Sequence, residues 1–335
     1  MTVYVGMDYH RSGIQVCVVD REGRVLANQK VANQVSEVIR VAGRWGEVSG
    51  VAVESCCGAA DLAERLLQAT GWSIFLGHPG YVNRMKQNPE KSDHSDARLL
   101  ADLVRVGYLP RVWLAPSWIR QLRELVRFRF QQVDRRRKVK VRILAILRNL
   151  RIVEPDARRW TRRWLAWLRQ VDLAEASRWV IQRHLAELDH ATQEIRGVEQ
   201  HLTQFTADDA TITRLRSNRG IGPVSAWVLR AEVGCFDRFR GGKQLSRFCG
   251  LSPRNASSGE RVADAGLVRT GQRSLKATLI QVGHHLAQHD PHWTSFARRL
   301  RQAGKPTSVA IAAVANHWVR QLWHRMMEQP QPQTT

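Results

Sequence analysis

Long apolar runs are missing from the 335-residue chain. No stretch approaches the roughly 20 consecutive apolar residues that a helix needs to cross a bilayer. The amino-terminal TVYVGMDYH enters a strand-like pattern with no secretory leader. The expectation is a cytoplasmic protein with no membrane partner. Cysteine is scarce and odd in number. Cys17, Cys56, Cys57, Cys235 and Cys249 show no Cys-x-x-Cys spacing, which argues against a disulfide framework and a zinc site and fits a reducing compartment. Acidic residues are in deficit, 30 against 52 Lys and Arg, leaving a net charge of +22 and a pI near 11.1. That excess points to a polyanion, most simply nucleic acid. No internal repeat is present.

The charge is segregated. Residues 1–60 carry six basic and six acidic residues, residues 117–151 twelve and two, and residues 214–305 seventeen and five. A uniformly basic solubility surface would not be so uneven. The neutral segment suits a metal site, and the two basic segments suit phosphates.

Three β-rich runs, 2–9, 14–20 and 25–32, are joined by short turns and read as an antiparallel meander. A helix is expected near 35–45, a buried strand at 49–55, a helix at 59–70, a strand at 72–77 and a helix near 79–88. The order β-β-β-α-β-α-β-α is that of an α/β ribonuclease H-like (RuvC-like) domain, placed at residues 1–115. Residues 116–206 read as a basic long helix and a coiled-coil segment. Its first helix, 117–150, carries the dense run DRRRKVKVR, in which Arg135, Arg136, Arg137, Lys138, Lys140 and Arg142 are candidate backbone contacts; Pro155 breaks it. Residues 160–205 are expected to be helical again. Ile181, His184, Leu188, Ala191, Ile195, Val198, Leu202 and Phe205 form a heptad stripe, a candidate subunit contact. Residues 207–335 read as a mainly α domain, with helices resuming at 272–288 and 307–326 and a disordered QPQPQTT tail.

Two acids stand at predicted strand ends, Asp8 after the first strand and Glu54 after the buried one. In a ribonuclease H-like sheet these ends are neighbours. A carboxylate there is costly unless something offsets its desolvation. Asp93 and Asp96 open an apolar-periodic helix three residues apart, on one face. On that stretch alone the plain reading is a capped first turn, with Ser92 or Asp93 as N-cap. Together the four acids would repel one another unless divalent cations intervened. Mg2+, a hard ion that prefers oxygen ligands, is the expected cofactor, and two such ions can clamp a phosphodiester. Asp102, half a turn from Asp93, is expected to face away; Asp20 and Asp61 read as turn and N-cap residues.

RGIGPVSA, 219–226, reads as a helix-hairpin-helix-type turn, in which Gly220 and Gly222 let backbone N–H groups approach a phosphate beside a helix terminus. A plain inter-helix turn fits nearly as well. SPRNASSG, 252–259, is a polar loop whose serines would by themselves be turn formers. Arg254 and Arg261 flank them.

GMDYH, VAVES, KSDHSDARLLADL and LRELVRFRFQQVDRRRKVKVRI, followed by GIGPVSAWVLRAEVG, FRGGKQLSRFCGLSPRNASSGERV and TGQRSLKATLI, resemble the DEDD-type insertion-sequence transposases of the IS-one-ten family over nearly the whole chain. The resemblance implies a RuvC-like metal domain with Asp8, Glu54, Asp93 and Asp96 as its tetrad, a coiled-coil linker, and a transposase domain with a nucleophilic serine. That serine abuts a glycine in relatives, which selects Ser258 over Ser257. It further implies DNA recombination guided by a structured bridge RNA, and a homo-oligomer acting on donor and target DNA. The chain departs from many relatives in having SNRGIG where they place a proline before Gly-Ile-Gly. Two other classes of function remain open: a RuvC-like junction nuclease that uses metals to activate water, and a non-catalytic basic nucleic-acid-binding protein.

Overall fold

A computed structural model of the chain describes residues 1–86, 92–255, 264–268 and 271–328. It forms two compact units, Met1–Ser117 and Trp118–Thr335.

The first unit is mixed α/β around a six-stranded sheet. Its strands are β1 (Thr2–His10), β2 (Gly13–Val19), β3 (Val25–Val31), β4 (Glu47–Glu54), β5 (Ile74–Gly77) and β6 (Arg111–Val112), in the order 3-2-1-4-5-6. The meander β1–β3 is antiparallel, as expected, and β4 and β5 run parallel to β1. Helices α1 (Val35–Ala42), α2 (Ala59–Thr70), α3 (Pro79–Val82) and α4 (Asp93–Arg105) fill the connections. Alternation along β1 sorts its side chains between the two faces. Val3, Val5 and Met7 are fully buried in the core that holds Val38 of α1 and Leu62 and Leu66 of α2. Tyr4, Gly6, Asp8 and His10 share the opposite face, where Tyr4 packs with Ala97 and Ala101 of α4.

Gly6 lets that helix lie directly on the sheet. An added Cβ would collide with the Ala97 carbonyl oxygen and the Ala101 backbone nitrogen. Gly6→Val is therefore expected to destabilise by more than the ~1–3 kcal/mol typical of overpacking, because the opposing atoms are backbone and no rotamer relieves them. A thermal melt measures it; an unshifted midpoint would contradict this packing.

Two expectations for this unit need correction. Asp61 lies within the first turn of α2, paired to Arg65 at 2.9 Å, and the N-cap is Gly58. The helix expected near 79–88 is, over its described residues to Lys86, one turn of α3 followed by a 3-10 turn at Asn83–Met85. Asp20 is a turn residue as expected, its carboxylate accepting from the Arg24 backbone N–H.

Among the described residues the second unit is helical apart from one hairpin. It comprises α5 (Ser117–Asn149, beginning at the junction), α6 (Arg162–Gln170), α7 (Glu175–Phe205), α8 (Ala210–Arg216), α9 (Pro223–Val233), α10 (Gly242–Phe248), strands β7 (Pro253–Asn255) and β8 (Asp264–Leu267), α11 (Arg273–His289), α12 (Pro291–Gln302) and α13 (Thr307–Met327). The stretch 160–205 is helical as expected, and it is divided into two helices. α6 turns back so that Trp164 and Leu168 are buried with Val139, Ile143 and Leu147 of α5 and with Ile181 and Leu185 of α7. The heptad stripe of α7 packs along α5 of the same chain. Val198 and Leu202 share a core with Leu122 and Val126, and Arg129 and Arg135 of α5 reach Glu199 and Glu187 at 2.6 and 3.1 Å. The seam expected to join subunits is thus consumed within one chain. α9 is buried along most of its length, including Arg230 and Glu232. Their charges are paired, Arg230 with Asp209 at 2.8 Å and Glu232 with Arg127 at 3.2 Å, as burial of an ion requires.

Candidate metal centre

The acidic site assembles at one end of the sheet, from β1, its neighbours and the first turn of α4. Ser92 caps α4, its hydroxyl accepting from the Ser95 backbone N–H at 3.1 Å. The plain helix-start reading therefore holds, and the same turn carries Asp93 and Asp96. A chain of bonds fixes that turn over the sheet. Gln15 of β2 donates to Asn28 of β3 at 2.7 Å, and Asn28 donates to the His94 carbonyl at 3.0 Å.

Asp8 lies on the same face, with its side chain mostly buried. His10, two residues along β1, places Nε2 3.1 Å from Asp8 Oδ2 and 3.3 Å from Asp93 Oδ1. The ligating atoms of Asp8, His10 and Asp93 all lie within 4.8 Å of one another. Lys30 of β3 approaches Asp93 at 3.7 Å, and Lys86 binds the buried Asp96 at 2.7 Å. Burial pushes the Asp8 carboxyl above its usual range. His10 opposes that shift, and the negative charges of Asp93 and Asp96 reinforce it. Glu54 ends β4. The parallel register of β1 and β4 closes at Met7 opposite Val53, one residue short of Asp8 and Glu54. Glu54 does not belong to the three-residue group, yet both acids act on Cys56. Burial first, then the charges of Glu54 and Asp8, push its thiol up.

The donor set fits a divalent cation. It is rich in hard oxygens, the charges of Asp93 and Asp96 add to burial in raising the proton affinity of Asp8, and within the chain Lys30 and Lys86 pair with two of the acids. Asp102 is not part of it. It pairs with Arg105 at 3.0 Å and with Arg98 at 4.0 Å on its own helix. The sequence reading missed His10, Lys30 and Lys86. Alternation signalled His10, which must share a face with Asp8; nothing in one dimension signalled the lysines.

The predicted phosphate contacts are dispersed over the second unit. On α5, Arg135 and Arg142 approach Glu187 at 3.1 and 3.9 Å, Arg137 and Lys138 both hold Asp134 at 2.7 Å, and Lys140 lies over the Trp160 ring at 4.9 Å. Arg136 is half-buried beside Lys140 and, after burial itself, lowers the proton affinity of that lysine. Gly220 has φ +88, the left-handed conformation that favours glycine, and packs under Leu286. Gly222 caps α9 with ordinary backbone angles and open space around its Cα. Arg219 anchors the turn to Asp290 at 3.4 Å. Arg254 is exposed on β7, which pairs with β8 as a hairpin where only a loop was expected. Ser257, Ser258 and Arg261 lie outside the described residues, as does the QPQPQTT tail.

Comparison with known proteins bears on both units. Residues 5–152 match the family model described as Transposase, of the DEDD type, and residues 212–298 match the one described as Transposase IS116/IS110/IS902 family. A Pseudomonas aeruginosa protein named "Probable family 20 transposase" is 26% identical over 329 residues, 95% of each chain. The Coxiella burnetii transposase for insertion sequence element IS1111A is 25% identical over 291 residues, 85% of this chain and 78% of its own. A Sinorhizobium fredii protein also named as a transposase is 27% identical over 223 residues, and there the match spans 65% of this chain but only 53% of the relative. No described helix is long and apolar enough to cross a membrane. Over residues 5–152 and 212–298 the chain thus matches the two transposase domains of the IS110/IS116 family of insertion sequences.

Proposed function

We propose that the chain cuts and rejoins DNA as an insertion-sequence recombinase, with the acidic cluster of its first unit as a metal centre and Ser258 as nucleophile. The observation that carries this reading is the convergence of Asp8, His10 and Asp93 within 4.8 Å at the rim of the sheet, on a face shared with Asp96. The strand order 3-2-1-4-5-6 supports a ribonuclease H-like (RuvC-like) identity for that unit.

Asp8, Glu54, Asp93 and Asp96 would hold Mg2+, which when bound supplies the charge that lets four carboxylates coexist and that polarises a phosphate. The covalent step belongs to the chain. The Ser258 hydroxyl oxygen bonds to the scissile phosphorus, the phosphorus–O3′ bond breaks, and the 3′ oxygen leaves as a hydroxyl with the proton that serine gives up. One phosphodiester replaces another, so rejoining needs no nucleotide hydrolysis. Arg254 and Arg261 flank the serine and would hold phosphate oxygens. Sequence choice is left to a structured bridge RNA, and the protein, as a homo-oligomer, grips backbones. The test is strand cleavage of element-end DNA with the RNA that co-purifies. Cleavage that requires Mg2+ supports the reading. Binding without cleavage under any divalent ion would reduce the chain to a nucleic-acid-binding protein.

α5 would contact those backbones. Neutralising Arg135, Arg136, Arg137 and Lys138 together is expected to weaken binding and flatten its salt dependence, by up to ~0.9 in log–log slope for each duplex phosphate that they had neutralised. The ion pairs to Glu187 and Asp134 compete with phosphate and pull the change below that ceiling. Titration of affinity against salt reads the slope; an unchanged slope would remove α5 from the interface.

A further inference from the structure

The geometry points to His10 as a ligand of the same divalent metal, a nitrogen donor within an otherwise oxygen site, which makes the centre favour Mn2+ over Mg2+. This rests on the metal reading of the acidic cluster and extends it to a residue outside the four acids.

His10 and Asp8 alternate along one strand, so both side chains emerge on the face that α4 covers. The imidazole is turned so that a single atom, Nε2, meets both carboxylates, at 3.1 Å from Asp8 and 3.3 Å from Asp93. Those lengths suit hydrogen bonds, and they also suit ligand-to-ligand edges. Two metal–donor bonds of roughly 2.1 Å at a right angle put their donors about 3.0 Å apart. Both edges that run through His10 thus stand at ligand-to-ligand spacing, and the third pair, Asp8 and Asp93, lies within 4.8 Å. The fold fixes this arrangement, because Asp93 is held by the capped first turn and that turn is tied to β3 through Asn28. The side chain is 40% exposed, so its removal leaves no cavity in the core. Carboxylates alone suit Mg2+, whereas an imidazole shifts preference toward first-row transition ions.

The test uses the full chain and Mn2+ as a spectroscopic probe. Pulsed electron paramagnetic resonance of bound Mn2+ should show coupling to an imidazole nitrogen in the wild type and lose it in His10→Ala. With 12 histidines in the chain, the difference between the two proteins is the informative quantity. Equilibrium binding should show His10→Ala weakening Mn2+ at least about tenfold, since even changes one shell beyond the ligands cost 10–100-fold. Mg2+, measured by competition, should weaken less, so the Mn2+/Mg2+ preference falls. His10→Asn guards against a folding artefact and should behave likewise, with an unshifted melt. An unaltered nitrogen coupling, or equal affinities in wild type and variant, would overturn the inference. Asp8→Asn separates the two failures. If it abolishes Mn2+ binding while His10→Ala does not, only the role of His10 falls. If neither variant changes binding, the metal reading falls with it.

Discussion

Asp8→Asn is expected to abolish strand cleavage while leaving the fold at least as stable as the wild type at neutral pH. The two halves have one cause. Asp8 is mostly buried and stands against Asp93 and Asp96, so its charged form is disfavoured in the folded chain. A carboxyl whose proton affinity is raised on folding costs stability once the pH climbs past its unfolded value of 3.8, and the cost is relieved as the pH falls. An amide of the same shape keeps a polar contact to His10 and removes the repulsion. The protein should therefore melt no lower at pH 7, and the stability gap over the wild type should close on acidification toward pH 4. Activity should drop by at least ~10²–10³-fold, the loss typical of removing one preorganised electrostatic group. Asp96→Asn should lose activity similarly, although Lys86 then loses its partner at 2.7 Å and the melt moves down. Asp102→Ala should stay within about a factor of two to three of the wild type, as befits a surface ion pair. Equal loss from all three, with folding intact, would mean that Asp102 shares the chemistry and the facing of α4 is misread.

Ser258→Ala should eliminate recombination and any protein–DNA adduct that survives denaturation, with metal and nucleic-acid binding retained. Only a hydroxyl is deleted, so the melt should not move. Ser257→Ala is the internal control and should keep much of the activity. An adduct that persists in Ser258→Ala and disappears in Ser257→Ala would transfer the role to the neighbouring serine.

The elements of the first unit were largely legible in the sequence because their periods are clean. Val3, Val5 and Met7 alternate with Tyr4, Gly6 and Asp8, and the spacing of Leu62, Ala63 and Leu66 is helical. The strand-end position of Asp8 and the three-residue spacing of Asp93 and Asp96 are local facts, and the structure places all three on one face. What escaped was non-local. Lys30 and Lys86 reach the acids from another strand and from a turn, and no sequence interval encodes those approaches. The break between α6 and α7 falls in VDLA, which holds neither glycine nor proline. It exists because folding back buries Trp164 and Leu168 against α5, a tertiary gain that overrides local propensity. The α7 stripe announced a partner helix correctly but could not say whether that helix was in another subunit or, as found, in the same chain. The β7–β8 hairpin was hidden because PRN and DAGL are too short and polar to read as strands.

Trypsin cuts after Arg254 and Arg261, releasing the peptide NASSGER, whose only hydroxyl side chains are Ser257 and Ser258. Mass spectrometry of that peptide from a denatured reaction on element-end DNA reads the chemistry most directly. The expected result is a nucleotide remnant on Ser258, formed only with a divalent cation and absent from Asp8→Asn. Cut DNA accumulating beside an unmodified NASSGER peptide would contradict it, and would make water the nucleophile and the chain a metal-dependent nuclease.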